Sequence, residues 1–286
     1  ILHKNDINMI TFGGGESLLR TDIFAILKEC QRLNKSVRII SNGYIINDDI
    51  CRELKTLEID QILISLDGAS SQTHDKFRNR EGSFSRVMNA IKLCKRYGIE
   101  AMVLTNFNKN NLHERRDIFN LLRQMDVRRW RVNELKKLGI NNLIYDELQM
   151  DKSDIRELHN DLYNMQDNWQ GEIIFDSIFA EMESPNQSNP ITSGCHCSKL
   201  TFALRPNGDI APCVYLPFAI GNILKDEDII KLWSTNHIVR EIKNKKANGK
   251  CVQCSHFTKC RGGCFARAYQ IFGNIDYPDP LCWVNE

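Results

Sequence analysis

The chain has 286 residues, 42% hydrophobic and 26% charged, with a formal net charge of +2 at pH 7. That length suits one large domain plus a smaller one with a substantial core, and the composition is that of an ordinary soluble protein. Lysine and arginine are scattered, which argues against nucleic acid, and the longest apolar runs are strand-sized, too short to cross a membrane.

Residues 1–135 alternate short apolar runs with amphipathic segments. Strands are predicted at 7–12, 37–41, 59–66, 99–105 and 128–132, and helices at 21–34, 47–57, 83–97 and 111–125. Asn47 is placed to cap the second helix at its start, and Gly98 to cap the third at its end. Near-continuous apolar strands between helices predict an α/β fold with a parallel, helix-covered sheet. An open doubly wound sheet and a β/α barrel both satisfy this pattern. Residues 136–150 read as a connector and 151–168 as a further helix. The stretch ESPNQSNPITSG (183–194) lacks periodicity and is the best domain boundary. The reading divides the chain into 1–150, a connector over 151–194, and a small Cys-rich domain over 195–286. The last opens on a hairpin turning at Asn207-Gly208. No secretory signal is visible, and the start on Ile1 suggests that the true N-terminus lies upstream.

The predicted strands end in small or polar clusters: FGGGES (12–17), SNG (41–43), SLDG (65–68) and TNFN (105–108). In parallel β/α folds ligands sit at these carboxyl ends. Gly13, Gly14 and Gly15 would let a ligand approach the backbone, and the Glu16 carboxylate could accept hydrogen bonds from an amine. Ser41, Asn42, Ser65 and Asp67 could address a ribose or a carboxylate. The plainer alternative is that these residues make turns and that Asp67 caps a helix. Neither GxGxxG nor GxxxxGK[ST] occurs, which leaves dinucleotide and phosphate-loop readings without support.

Eleven cysteines are present. Cys30, Cys51 and Cys94 lie singly in helical segments and read as small buried apolar residues. The other eight fall in the last third, four of them in CVQCSHFTKCRGGC (251–264), spaced C-x2-C-x5-C-x3-C. Clustered thiols in a large chain without an export signal favour metal ligation in a reducing cytoplasm over disulfides. The spacing fits an iron–sulfur cluster better than the paired knuckles of zinc, which stays open together with redox chemistry. His196 and His256 lie among these thiols and read as polar surface.

These motifs resemble the radical S-adenosylmethionine (radical SAM) enzymes that carry a C-terminal SPASM domain. GGE at Gly14, Gly15 and Glu16 resembles the motif binding the methionine amine of S-adenosylmethionine, with Ser17 in place of the usual proline. SNG, SLDG and HDKFRNREGSF (74–84) resemble the following strand ends. They would put Ser41, Asn42, Ser65, Asp67 and, more weakly, Asn108 near that cofactor. The tail resembles SPASM more specifically: Cys195 stands 13 positions before Gly208, Cys213 follows GDIAP, and DPLC ends the series at Cys282. The resemblance implies two auxiliary [4Fe–4S] clusters with interleaved ligands, one on Cys251, Cys254, Cys260 and Cys282, the other on Cys195, Cys197, Cys213 and Cys264. The family's CxxxCxxC, which would hold a third [4Fe–4S] cluster, does not occur in 1–286. It is expected upstream together with the first strand, so the fold implied is a partial (β/α)6 TIM-like barrel followed by SPASM.

The implied chemistry is one-electron cleavage of S-adenosylmethionine, giving a 5′-deoxyadenosyl radical that abstracts hydrogen from a substrate. The expected substrate is a ribosomally made peptide, modified by C–C or C–S bond formation, decarboxylation or epimerisation. Alternatives are haem or redox-cofactor biosynthesis, sulfatase maturation (where relatives usually have Asp at the position of Val214) and, outside catalysis, a zinc- or cluster-bearing interaction protein. A flavodoxin or ferredoxin-type electron donor and a cytoplasmic location are also implied. No catalytic acid or base is assigned; Arg78 and Arg131 read as structural or carboxylate-binding residues.

Overall fold

A computed structural model describes residues 1–137, 143–175, 195, 197 and 200–284. The 183–194 boundary and His196 lie outside these. In chain order the elements are β1 (Met9–Phe12), α1 (Ile23–Arg32), β2 (Ser36–Ser41), α2 (Asp48–Thr56), β3 (Gln61–Ser65), α3 (Ser71–Arg78), α4 (Ser83–Tyr97), β4 (Ala101–Phe107), α5 (Arg115–Gln124) and β5 (Arg129–Glu134). There follow α6 (Tyr145–Leu148), α7 (Lys152–Asp167) and β6 (Glu172–Phe175). The tail holds β7 (Ala203–Leu204), β8 (Asp209–Ala211), β9 (Gly221–Asn222), α8 (Ile229–Thr235), α9 (His237–Lys243), α10 (Phe257–Cys260) and α11 (Phe265–Phe272).

The chain divides into two compact units. The first spans residues 2–133 and 160–174. Its sheet runs in the order β1-β2-β3-β4-β5-β6, and the first four strands pair in parallel. A doubly wound sheet would reverse direction at a switch point; this order never does, which selects the one-way winding of a partial barrel. β3 is buried along its whole length, as a parallel strand covered on both faces is expected to be. Asn47 caps α2 by accepting from the Ile50 N–H at 2.9 Å, and Gly98 ends α4 at φ 64°, in the left-handed region that favours glycine. Cys30, Cys51 and Cys94 are buried in the helix packing, where the thiols of Cys51 on α2 and Cys94 on α4 hydrogen-bond to each other.

The second unit spans residues 134–159 and 175–286, with Ile1. Its sheet is antiparallel, β7-β8-β9, with Ala203 opposite Ala211 around the predicted Asn207-Gly208 turn. Gly208 has φ +86° there, so a side chain would be strained. Its core gathers Cys197, Leu216, Ile242, Cys264, Phe265, Ala266 and Ile275, with Cys195, Cys213 and Tyr215 against them.

Candidate functional site

In the first unit the loop after β1 exposes Gly13, Gly14 and Gly15. A Cβ built on Gly14 or Gly15 would meet nothing within 4 Å, and Gly14 has φ +111°. The loop is thus a bare backbone cradle onto open space. Glu16 follows it, held by the end of β2: its Oε2 accepts the Asn42 N–H at 2.7 Å and the Ser41 hydroxyl at 3.1 Å, and its Oε1 accepts the Leu18 N–H at 3.3 Å. Ser41 and Asn42 in turn accept from Gly43 N and Tyr44 N. Glu16, Ser41 and Asn42 therefore form one constellation, with a fixed carboxylate beside the glycine cradle.

Ser65, Asp67 and Asn108 are all buried at the ends of β3 and β4. Asp67 accepts the Asn106 N–H at 2.8 Å and pairs with Arg78. Its own N–H donates to His74 Nδ1 at 3.0 Å, and burial holds the His74 pKa below its ordinary value. Asn108 spends its amide on its loop, accepting from Asn110 N and donating to Asn106 O. Asp67 and Asn108 thus stand in a bracing network, with no side-chain bond to Glu16.

In the second unit none of the eight clustered cysteines forms a disulfide. Their thiols fall into two groups. Cys197 hydrogen-bonds to both Cys195 and Cys213, and Cys264 interacts electrostatically with Cys195. The hydrogen bond from Cys197 brings Cys213 down to about 7 and raises Cys197 in exchange. Cys251 and Cys260 each interact with Cys282, and Cys254 with both Cys251 and Cys282. Burial pushes Cys260 and Cys264 up to about 12. Binding a metal centre must therefore displace protons from both groups.

Sequence reasoning missed the charges around these thiols. Cys264 is the N-cap of α11, and its N–H donates to Asp279 Oδ2 at 2.8 Å. Arg267, one turn into α11, bridges Asp279 and Glu134, all three buried. Burial opposes the charge of Lys136, yet Glu134, Tyr215 and Cys264 hold its pKa above the usual value. Lys245 and Lys250 act on Cys251. Only the density of lysines in KNKKANGK (243–250) could have drawn attention to the last two.

Among the described residues no group of three or more His, Cys, Asp or Glu side chains is arranged to hold a single metal ion. The fit to a cofactor therefore rests on donor chemistry: two groups of four cysteines, the ligand complement of iron–sulfur clusters. Glu16 likewise offers an anchored carboxylate at an open cradle, which fits an ammonium-bearing ligand.

A singly wound sheet with its glycine–glutamate loop and a tail of eight clustered thiols is the combination found in radical SAM proteins. Residues 1–122 match the family model of the Radical SAM superfamily, and 195–256 match that of SPASM, an iron–sulfur cluster-binding domain. The chain thus carries a domain of the Radical SAM superfamily of enzymes and an iron–sulfur cluster-binding SPASM domain, which together support S-adenosylmethionine and iron–sulfur clusters as cofactors. It is 27% identical to "Mycofactocin maturase MftC" of Mycolicibacterium smegmatis, over 98% of this chain and 72% of that one. It is 24% identical to "AdoMet-dependent heme synthase" of Methanosarcina barkeri, over 96% and 82%. Among solved structures, Streptococcus suis SuiB bound to S-adenosylmethionine superposes with a TM-score of 0.80 at 18% identity, over 99% of this chain and 68% of SuiB. Among the described residues no helix is long and apolar enough to cross a membrane.

Proposed function

We propose that this enzyme modifies a ribosomally made peptide, with S-adenosylmethionine held at the Glu16 loop and two auxiliary [4Fe–4S] clusters held by the second unit. The observation that carries the reading is the sorting of eight thiols into two groups of four, Cys195/Cys197/Cys213/Cys264 and Cys251/Cys254/Cys260/Cys282. Support for a peptide comes from the maturase relative and from SuiB, also solved bound to the precursor peptide SuiA.

In this reading Glu16 accepts hydrogen bonds from the methionine amine, and Ser41 and Asn42 keep its carboxylate from turning away. Gly14 and Gly15 leave the backbone open to the ligand, while Ser65, Asp67 and Asn108 shape the neighbouring strand ends. S-Adenosylmethionine, when bound with a reducing cluster, supplies radical hydrogen abstraction. Residues 1–286 contain no CxxxCxxC, so that reducing cluster is assigned no ligand here. The donor proposed for it is a flavodoxin or a ferredoxin.

The heme synthase relative favours a second reading, haem or redox-cofactor synthesis. The test is to load the full gene product with iron and sulfide without oxygen, then add S-adenosylmethionine and a reductant. A short peptide encoded beside the gene should change mass with release of 5′-deoxyadenosine, and an iron porphyrin precursor should not react. The reverse result overturns the peptide reading in favour of the second. Zinc without iron or sulfide would overturn both.

A further inference from the structure

Lys245 is an unusual residue to find buried: only 5% of its surface is exposed, although four of the eight residues 243–250 are lysines and its neighbour Lys246 lies in solvent. Its ammonium donates to the Tyr277 carbonyl at 2.9 Å and stands 4.9 Å from the centre of the Phe265 ring. An ammonium has three N–H donors, and among the described residues no second oxygen accepts from this one. Nor does any carboxylate there lie within ion-pairing distance. Of the carboxylates that act on it, the buried Asp279 is already taken by Arg267 and by the Cys264 and Leu281 N–H groups, and Asp276 is exposed.

What faces Lys245 instead is sulfur. Cys251 and Cys260 both act on its charge. A Cβ added to Gly262 would meet Lys245 Nζ at 2.9 Å and Cys251 Sγ at 3.7 Å, so ammonium and thiol flank one vacancy kept open by a glycine at φ +83°. A buried cation without a counter-ion costs several kcal/mol. Neutral thiols cannot offset that cost; ligating thiolates and the sulfides of a cluster can. The residues thus hold a place for negative charge at Cys251 and Cys260.

We propose that Lys245 is the counter-ion of the iron–sulfur centre on Cys251, Cys254, Cys260 and Cys282 and sets its reduction potential, a step that rests on the cluster assignment above. Reduction adds negative charge to the centre, and a desolvated cation stabilises the reduced form more than the oxidised one. Lys245 therefore acts as a positioning and tuning residue that makes this centre easier to reduce than its thiols alone would.

The test is a redox titration of the anaerobically loaded full gene product, followed by electron paramagnetic resonance. The signal lost in Cys254→Ala and kept in Cys264→Ala identifies the centre. Lys245→Met should shift its redox equilibrium at least about tenfold toward the oxidised form, about 59 mV lower for one electron. The other auxiliary centre should move less than a third as far. Lys245→Arg should keep the native potential, and so should Lys246→Met. A shift under twofold, or an equal shift of both centres, overturns the proposal. If Lys245→Met does not load iron, Lys245→Gln is read in its place. Loading by Lys245→Arg but by neither neutral variant supports the counter-ion role, and failure of all three overturns it. A native protein without iron and sulfide would overturn the cluster assignment itself, whereas a loaded one with an unmoved potential overturns only the role of Lys245.

Discussion

Arg267 and Asp279 face each other inside the second unit, Nε to Oδ1 at 2.8 Å and Nη2 to Oδ2 at 2.9 Å. The same carboxylate accepts the N–H of Cys264 at 2.8 Å and of Leu281 at 3.0 Å, and the guanidinium also reaches Glu134. One pair of side chains thus fixes the backbone beside two thiols, Cys264 and Cys282, that are proposed to serve different centres.

Arg267→Met should accordingly cost stability rather than merely loosen a surface. It takes the guanidinium away from the buried carboxylates Glu134 and Asp279, and removing one partner of a buried ion pair typically costs about 3–5 kcal/mol. Arg267→Lys should recover only part, because an ammonium cannot make the forked contact. Denaturant unfolding of the reduced, metal-free chain measures both. A loss below about 1 kcal/mol for Arg267→Met would mean that the network is not structural.

The sequence made α4 legible to the residue, because its apolar spacing is strong and Gly98 closes it. It did not reveal α3, whose residues SQTHDKFR bury only His74 and so carry no apolar stripe. β6, four residues long, fell below the length at which alternation can be read. The choice between barrel and doubly wound sheet was hidden for another reason: strand order is a non-local property, and local patterns are the same in both. For the site, the cysteines and glycines announced themselves by type and spacing. Arg267, Asp279 and Lys245 did not, since a buried charge looks like any surface charge until its partner, in Arg267's case 133 residues away at Glu134, is brought beside it.

Cys254→Ala and Cys264→Ala lie ten positions apart in one run, yet their thiols interact with different partners, Cys251 and Cys282 for the first and Cys195 for the second. Each variant should lose about four of the eight irons expected of the two proposed auxiliary clusters. The signals lost should differ, and the double variant should retain neither. Iron and sulfide analysis with Mössbauer or paramagnetic resonance spectra decides it. Loss of one and the same signal in both single variants would show that the two-group assignment is wrong.

Glu16→Gln tests the cofactor cradle with little disturbance of the fold, because an amide oxygen can still accept from Asn42 N and Ser41. What disappears is the negative charge. A charge-assisted hydrogen bond is worth about 1.5–3 kcal/mol, so affinity for S-adenosylmethionine should fall about tenfold to a hundredfold. Equilibrium dialysis gives the number, and the melting temperature without ligand serves as the control. Unchanged affinity would remove Glu16 from the binding site.

His74 gives the fold an acid-sensitive point. Its Nδ1 accepts the Asp67 N–H at 3.0 Å, so the neutral ring carries its proton on Nε2, 3.2 Å from the Ser83 hydroxyl. Burial lowers the folded-state pKa, whereas the unfolded histidine keeps a value near 6.5. Between these two values the unfolded chain binds more protons, so stability falls as pH falls below about 6.5, by at most about 1.4 kcal/mol per pH unit for one group. His159, which burial lowers to about 3, pulls in the same direction. Comparison with His74→Asn isolates the first contribution: the variant keeps an acceptor for Asp67 N but cannot titrate. It should be less stable than the native chain at pH 7.5, and the gap should narrow steadily down to pH 5. Thermal unfolding at four or five pH values measures that gap, and a gap independent of pH would show that folding does not lower the His74 pKa.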